Sequence, residues 1–207
     1  MKLKDTNTEE KIMEAAKIVF MKYGLYGARM QDIADTAGIN KALLHYYYRN
    51  KEKLFDQVFD NALSKYFDQM DIILDESLSI RERLLIYVER IIDFLAEYPQ
   101  MSMFIIKEIS INPILFSEKV QKIKKNKTKH QPILSVLEEA KKRGEIPDID
   151  SVLFFMHLHS LCAYPFLASP IFKVIQEKSK LNWKDPKNEK LKESVKDFVN
   201  YKLKLKE

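Results

Sequence analysis

Apolar residues recur every three or four positions along almost the whole chain, and period-two alternation is scarce, so the pattern predicts helices rather than sheet. Ile12, Ala15, Ala16, Val19, Phe20 and Tyr23 make the first apolar stripe. Thr6 or Thr8 caps that helix, Glu9 and Glu10 lie at the positive end of its dipole, and Gly24 ends it. The stretch from Arg29 to Lys51 reads as two short helices joined by a tight turn, with Ile33, Ala34, Ala37, Ile39 and Leu44 facing inward. Gly38 stands where the first must stop, because glycine takes the left-handed conformation without a Cβ clash. Asn40 caps the second, Lys41 to Tyr48. Asn50 then caps a long helix over 51–75. Its stripe (Leu54, Phe55, Val58, Phe59, Ala62, Leu63, Tyr66, Phe67, Met70, Ile73, Leu74) is broad enough to pack on two sides.

Further helices follow. Ser79 to Glu97 is amphipathic and halted by Pro99; Gln100 to Ile111 ends at Asn112-Pro113, and Pro113 restarts a helix. Gln131-Pro132 kinks or restarts the next, which runs to Arg143 with Gly144 as its stop. Pro147 and Asp148 open an apolar helix from Ile149 to Leu167, interrupted at Pro165. Pro170 starts another to about Lys180. Asn182 to Pro186 is a break, and Asn188 to Lys206 is a final amphipathic helix. The fold class is all-α.

Composition adds limits. At 207 residues, with 46% hydrophobic and 31% charged, the chain is that of a folded protein with a sizeable core and one or two domains. A net charge of +5 suits an anionic partner without demanding one, and the lysine cluster from Glu118 to His130 reads as a solvated face or exposed connection. The single Cys162 excludes an intrachain disulfide and fits a reducing compartment. The amino-terminal residues hold no apolar signal-peptide core. The run from Val152 to Ala168 is short and broken by Pro165 for a membrane span. A cytoplasmic protein with no membrane partner is expected.

Catalytic patterns do not stand out. His157, His159 and Cys162 invite a metal, but helical residues two apart point to different faces, and two ligands do not make a structural site. Neither a metal nor a cofactor is expected. No Ser/His/Asp pattern, glycine-rich phosphate loop or carboxylate pair suggests an enzyme. The Arg29–Lys51 stretch points elsewhere, since two helices with a glycine turn form a helix-turn-helix, whose second helix lies in a DNA major groove.

Beyond the motif, Thr8, Ile12, Ala15-Ala16, Phe20 and Gly24, then Asp32-Ile33-Ala34 and Ala37-Gly38-Ile39, then Tyr46-Tyr47-Tyr48, Lys51-Glu52 and Leu54-Phe55, resemble the amino-terminal signature of TetR-type (TetR/AcrR-like) transcriptional regulators. The resemblance ends near Phe59; beyond it only length and helical character match. It implies a three-helix DNA-binding domain over 1–50 and a larger helical effector-binding and dimerisation domain over 51–207. It also implies that Arg29, Gln31, Lys41, Ala42, Leu43, His45, Tyr46, Tyr47 and Lys51 meet the duplex. Gln31 can pair with an adenine edge, Lys41 with guanine or phosphate, and Ala42 and Leu43 with a thymine methyl. Arg29, His45, Tyr47 and Lys51 suit phosphate contacts. Tyr46 is balanced between DNA contact and packing, and Tyr48 reads as core. The chain departs from the family at Arg29, Leu43 and His45, which leaves the fold intact and puts the operator sequence in question.

The resemblance further implies an effector pocket in the Phe- and Met-rich carboxy-terminal part, for which Tyr87, Phe104, Phe155 and His159 are the candidate residues. An apolar, aromatic lining suits a lipophilic or aromatic small molecule. The expected partners are double-stranded DNA with a near-palindromic operator, a second copy of the chain and an unknown effector. The helices from about Ile149 to Lys180 are expected to form the dimer surface. The alternative is a helical ligand-binding or scaffolding module that binds no DNA.

Overall fold

The computed structural model describes residues 6–125, 133–179 and 189–204, which form helices with no strand among them. In chain order these are α1 (Thr6–Gly27), α2 (Met30–Ala37), α3 (Lys41–Tyr47), α4 (Lys51–Asp68), a 3₁₀ turn (Asp71–Leu74), α5 (Ile80–Glu97) and α6 (Met101–Ile111). They continue as α7 (Pro113–Lys125), α8 (Ile133–Lys142), α9 (Ser151–Lys178) and α10 (Glu189–Lys202). Expectations at Gln131-Pro132, at residues 126–130 and at Asn182–Pro186 lie outside the described residues.

By their contacts the helices fall into two compact units, Met1–Lys65 with Phe104–Lys119, and Tyr66–Met103 with Val120–Glu207. The division between these compact units falls within α4, whose first turns complete the core of the head. The Phe20 ring meets Phe55 edge-on at 5.0 Å, and Phe55 and Phe59 meet Phe104 at 5.8 and 5.3 Å. Ile12, Ala16, Phe20, Ile33, Leu44 and Leu54 are completely buried around them. Lys119 ties α7 to α4, its ammonium 2.6 Å from Asp60 and 3.2 Å from Asp56.

The second unit is built on α5, whose Leu84, Tyr87, Val88, Ile91 and Leu95 are fully buried. Ser79 starts α5 with a reciprocal cap. Its hydroxyl accepts from the Glu82 N–H at 3.3 Å, and the Glu82 carboxylate accepts from the Ser79 N–H at 2.8 Å. Arg83, only 6% exposed, donates to the carbonyls of Leu78 at 2.8 Å and Ile73 at 3.3 Å, which pins the 3₁₀ turn against α5. α10 lies along α5 through Lys192–Asp93 at 2.7 Å and Lys196–Glu89, with Val195 and Val199 buried beneath.

Several expectations are corrected. α1 is already helical at Thr6, while Gly24, non-helical at φ 69° and ψ −179°, does end the first helical stretch at a kink, with Tyr23 left half exposed. The long helix after Asn50 stops at Asp68 instead of reaching residue 75. Gln69 and Met70 bond three residues back, and the 3₁₀ turn brings the adjacent Ile72 and Ile73 both into the core, which an α-helix would splay apart. Neither Pro165 nor Pro170 breaks α9, which runs unbroken for 28 residues. An internal proline costs about 3 kcal/mol, whereas each buried Leu or Phe contributes roughly 1.5–3 kcal/mol, and α9 buries Phe154, Leu158, Cys162 and Phe166 along one ridge. By length and composition α9 could therefore cross a membrane; here its buried ridge packs against α5 and α10, with Phe154 stacked on Phe198 at 5.9 Å.

Replacing Ser79 with Ala is expected to cost about 1 kcal/mol. The urea midpoint should fall with an unchanged slope, and an unmoved midpoint would show that Glu82 alone holds the end of α5.

Candidate nucleic-acid interface

Seven residues are too few for a stable helix in isolation, so α3 depends on its ends and its one buried side. At the turn before it, Gly38 has φ 66° and ψ 31°, its N–H bonding the Asp35 carbonyl at 3.2 Å while the Ile39 N–H bonds that of Ala34 at 3.0 Å. Asn40 is extended, and its side-chain oxygen accepts from the Leu43 N–H at 2.7 Å. Leu44 is fully buried, and Tyr48, just past the helix, is 7% exposed with its hydroxyl donating to Glu9 at 3.0 Å. That settles Tyr48 as a core residue.

With Leu44 inward, helical geometry turns Ala42, Leu43 and Tyr46 outward and leaves His45 and Tyr47 on the flanks. The exposures agree: Tyr46 is 57% and Leu43 37% exposed, while His45 and Tyr47 are half-buried. Tyr46 and Tyr47 meet edge-to-face at 5.5 Å. Tyr46 thus leans toward the exposed role. Lys41 and Arg29 are exposed at the starts of α3 and α2. Gln31 is exposed, but its amide donates to Asp35 at 2.7 Å, so reading a base would mean exchanging that bond. The i, i+4 spacing of Gln31 and Asp35 would have revealed the pair.

Lys51 had a partner that spacing alone does not show. Its ammonium donates to the Ala28 carbonyl at 3.0 Å, tying the start of α4 to the segment between α1 and α2. An ammonium has three donors, so this bond leaves room for a phosphate while giving Lys51 a structural role as well. The head also carries a cleft of about 500 Å³ between α1 and α4, lined by Glu9, Glu14, Lys17, Tyr48, Val58 and Lys65 among others. Its mixed charges make it a poor match for a lipophilic guest.

Of the four candidate pocket residues, three come together in the second unit. The Tyr87 hydroxyl is 2.7 Å from His159 Nδ1, and the Phe155 ring lies 6.2 Å from Tyr87 and 5.9 Å from His159. The fourth, Phe104, packs on Phe55 and Phe59 in the first unit. A residue not singled out as a candidate, Tyr66, completes the group with its hydroxyl 2.5 Å from His159 Nε2. Burial holds the His159 pKa down to about 4 and raises both tyrosines, and it pushes Cys162 up to about 12. Cys162 is therefore an unreactive thiol at neutral pH. His157 is exposed on another face of α9, and among the described residues no three His, Cys, Asp or Glu side chains gather as metal ligands.

The fold and the head's geometry agree with the comparisons. Residues 12–58 match the family described as bacterial regulatory proteins, tetR family. The chain is 27% identical over 164 residues to the probable HTH-type transcriptional regulator YttP of Bacillus subtilis, covering 78% of each. The fold matches the putative transcriptional regulator SCO4942 of Streptomyces coelicolor with a TM-score of 0.65, at 21% identity over 94% of this chain and 97% of that one. It also matches FadR of Bacillus subtilis, solved with stearoyl-CoA, with a TM-score of 0.62, at 20% identity over 92% and 97%. Residues 12–58 therefore form a TetR-family helix-turn-helix head. These relatives are named as regulators of transcription, and none as an enzyme.

Lys41 has no partner among the described residues, so Lys41→Ala should weaken duplex binding and lower its salt slope by about one, with stability unchanged. Lys51→Ala should in addition lower stability by about 1 kcal/mol as the Ala28 carbonyl loses its donor; equal stability of the two variants would remove that structural role. His159 makes a separate prediction. Its folded pKa of about 4 lies below the ordinary 6.5, so between these values the unfolded chain holds a proton that the folded chain refuses. The stability from a neutral His159 is complete above pH 6.5 and lost as the pH falls to 4. A histidine ring titration by NMR should find its midpoint near 4, and a midpoint near 6.5 would contradict the buried pairing.

Proposed function

We propose that this protein is a cytoplasmic, homodimeric repressor that binds a near-palindromic operator and leaves it when a small apolar or aromatic effector binds. The reading rests chiefly on one observation: the capped, outward arc of α3 in a TetR-type head. In this reading residues 1–50 act as the DNA-binding domain and 51–207 as the effector-binding and dimerisation domain. Arg29, Gln31, Lys41, Ala42, Leu43, His45, Tyr46, Tyr47 and Lys51 form the contact set. Gln31 pairs with an adenine edge, Lys41 with guanine or phosphate, Ala42 and Leu43 with thymine methyls, and Arg29, His45, Tyr47 and Lys51 hold phosphates.

The dimer is supported by the outer side of α9, where Leu153, Met156, Tyr164, Ile171 and Val174 are all 50% or more exposed. Among the described residues nothing buries this apolar row, and a second copy would cover it. Two heads about one helical turn apart, roughly 34 Å, would then enter successive major grooves.

The effector reading draws on Tyr87, Phe155 and His159 in the second unit, with Phe104, which packs within the first unit, a further candidate. α4 carries Lys51 in one compact unit and Tyr66, bonded to His159, in the other. An effector that favours one position of α4 would shift the heads, and it can act only through such a difference in affinity between two states.

Selection of bound sequences from random duplex DNA, together with mass in solution, tests this. A palindromic half-site repeat and a two-chain mass at micromolar concentration are expected. A monomer would defeat the dimer mechanism, and the absence of salt-dependent duplex binding would favour a helical ligand-binding or scaffolding module instead.

A further inference from the structure

The group formed by Tyr66 on α4, Tyr87 on α5 and His159 on α9 has one more hydrogen-bond donor than it can use. Both ring nitrogens of His159 are engaged, Nε2 with the Tyr66 hydroxyl at 2.5 Å and Nδ1 with that of Tyr87 at 2.7 Å. A neutral imidazole carries one N–H and one bare nitrogen. One tyrosine therefore donates to the bare nitrogen and the other accepts the N–H. The accepting tyrosine keeps its own O–H, and neither hydroxyl has another partner among the described residues.

This O–H is deeply placed, with Tyr87 wholly buried and Tyr66 7% exposed. Its surroundings offer aromatic rings: Phe94 lies 6.0 Å from Tyr66, and Phe155 is tilted over Tyr87 and His159. Among the described residues the other titratable group acting on these tyrosines is the buried free thiol of Cys162. Among the described residues no carboxylate or ammonium acts on His159, whose shift comes from burial. A buried donor without an acceptor is unfavourable, and an apolar environment without a counter-charge disfavours an anion as the acceptor.

We infer that Tyr66, His159 and Tyr87 together read a single neutral acceptor oxygen, such as the carbonyl of a ketone, ester or amide, carried on an otherwise apolar ligand. This rests on the effector reading above and gives that ligand its polar end. The apolar part supplies affinity, and the triad supplies selection for one oxygen. A site built to hydrogen-bond rejects an analogue lacking the partner, because its own group is then left unpaired.

The test uses the full chain with labelled histidine, His159 being assigned through a His159→Gln variant. 2-Octanone, octane and octanoate serve as probes that differ at one end. The expected result at pH 7.5 is a single neutral tautomer of His159 whose signals move saturably with 2-octanone, without proton uptake. Octane should bind roughly tenfold more weakly, and Tyr66→Phe or Tyr87→Phe should lose about the same factor for the ketone alone. Should His159→Gln fail to fold, His45→Gln, His130→Gln and His157→Gln variants assign the other three ring signals and leave that of His159 by elimination, so the wild-type tautomer is still read. Several results overturn the inference: no response to 2-octanone, a ketone no better than octane, a charged or mixed-tautomer His159, or preferred octanoate with uptake of one proton. Operator binding separates this from the broader reading. A ketone held by the triad that leaves DNA affinity unchanged defeats the effector mechanism alone. A compound that releases DNA without moving the His159 signals defeats the triad assignment alone.

Discussion

The seven residues of α3 do not hold a helix unaided, and the head is arranged to supply what they lack. One end is fixed by the left-handed Gly38 and the Asn40 side chain, and one side is anchored by the buried Leu44. Leu44 needs a core, yet α1 and α2 alone are a small one. The rings of α4 and α6 enlarge it, through Phe55, Phe59 and Phe104 against Phe20. The geometry offered to DNA thus depends on packing well outside the helix-turn-helix. Lys51 shows the same dependence in polar form, closing the Ala28 carbonyl from the first turn of α4.

In the second unit the costly groups are buried polar ones, and they are handled differently. Arg83 keeps its charge and spends its donors on two backbone carbonyls, which closes the turn before α5. His159 gives up its charge and shares two tyrosines instead. The first arrangement is saturated and reads as structure. The second has a donor to spare, which is the chemical asymmetry expected of a group that waits for a partner.

Comparison of the chain with its fold shows where local rules hold. Helix ends governed by a neighbouring residue were legible: Gly38, Asn40 and Gly144 act as their chemistry requires. Pro165, Pro170 and the end of α4 were misread, because there a backbone preference competes with burial. The outward positions of α3 followed from period and motif, whereas the Lys51–Ala28 and Tyr48–Glu9 bonds span 23 and 39 residues and leave no periodic trace.

The chain alone therefore determined the all-helical class, the head and the residues it turns outward, since these depend on neighbours within a few positions. The tertiary structure decided which distant groups meet. It joined Tyr66 to His159 across 93 residues and Tyr87 to the same ring across 72, and it packed Phe104 on Phe55 and Phe59 within the first unit. Those pairings are set by how helices pack, and helical periodicity specifies which side of each helix is buried without specifying what it will be buried against.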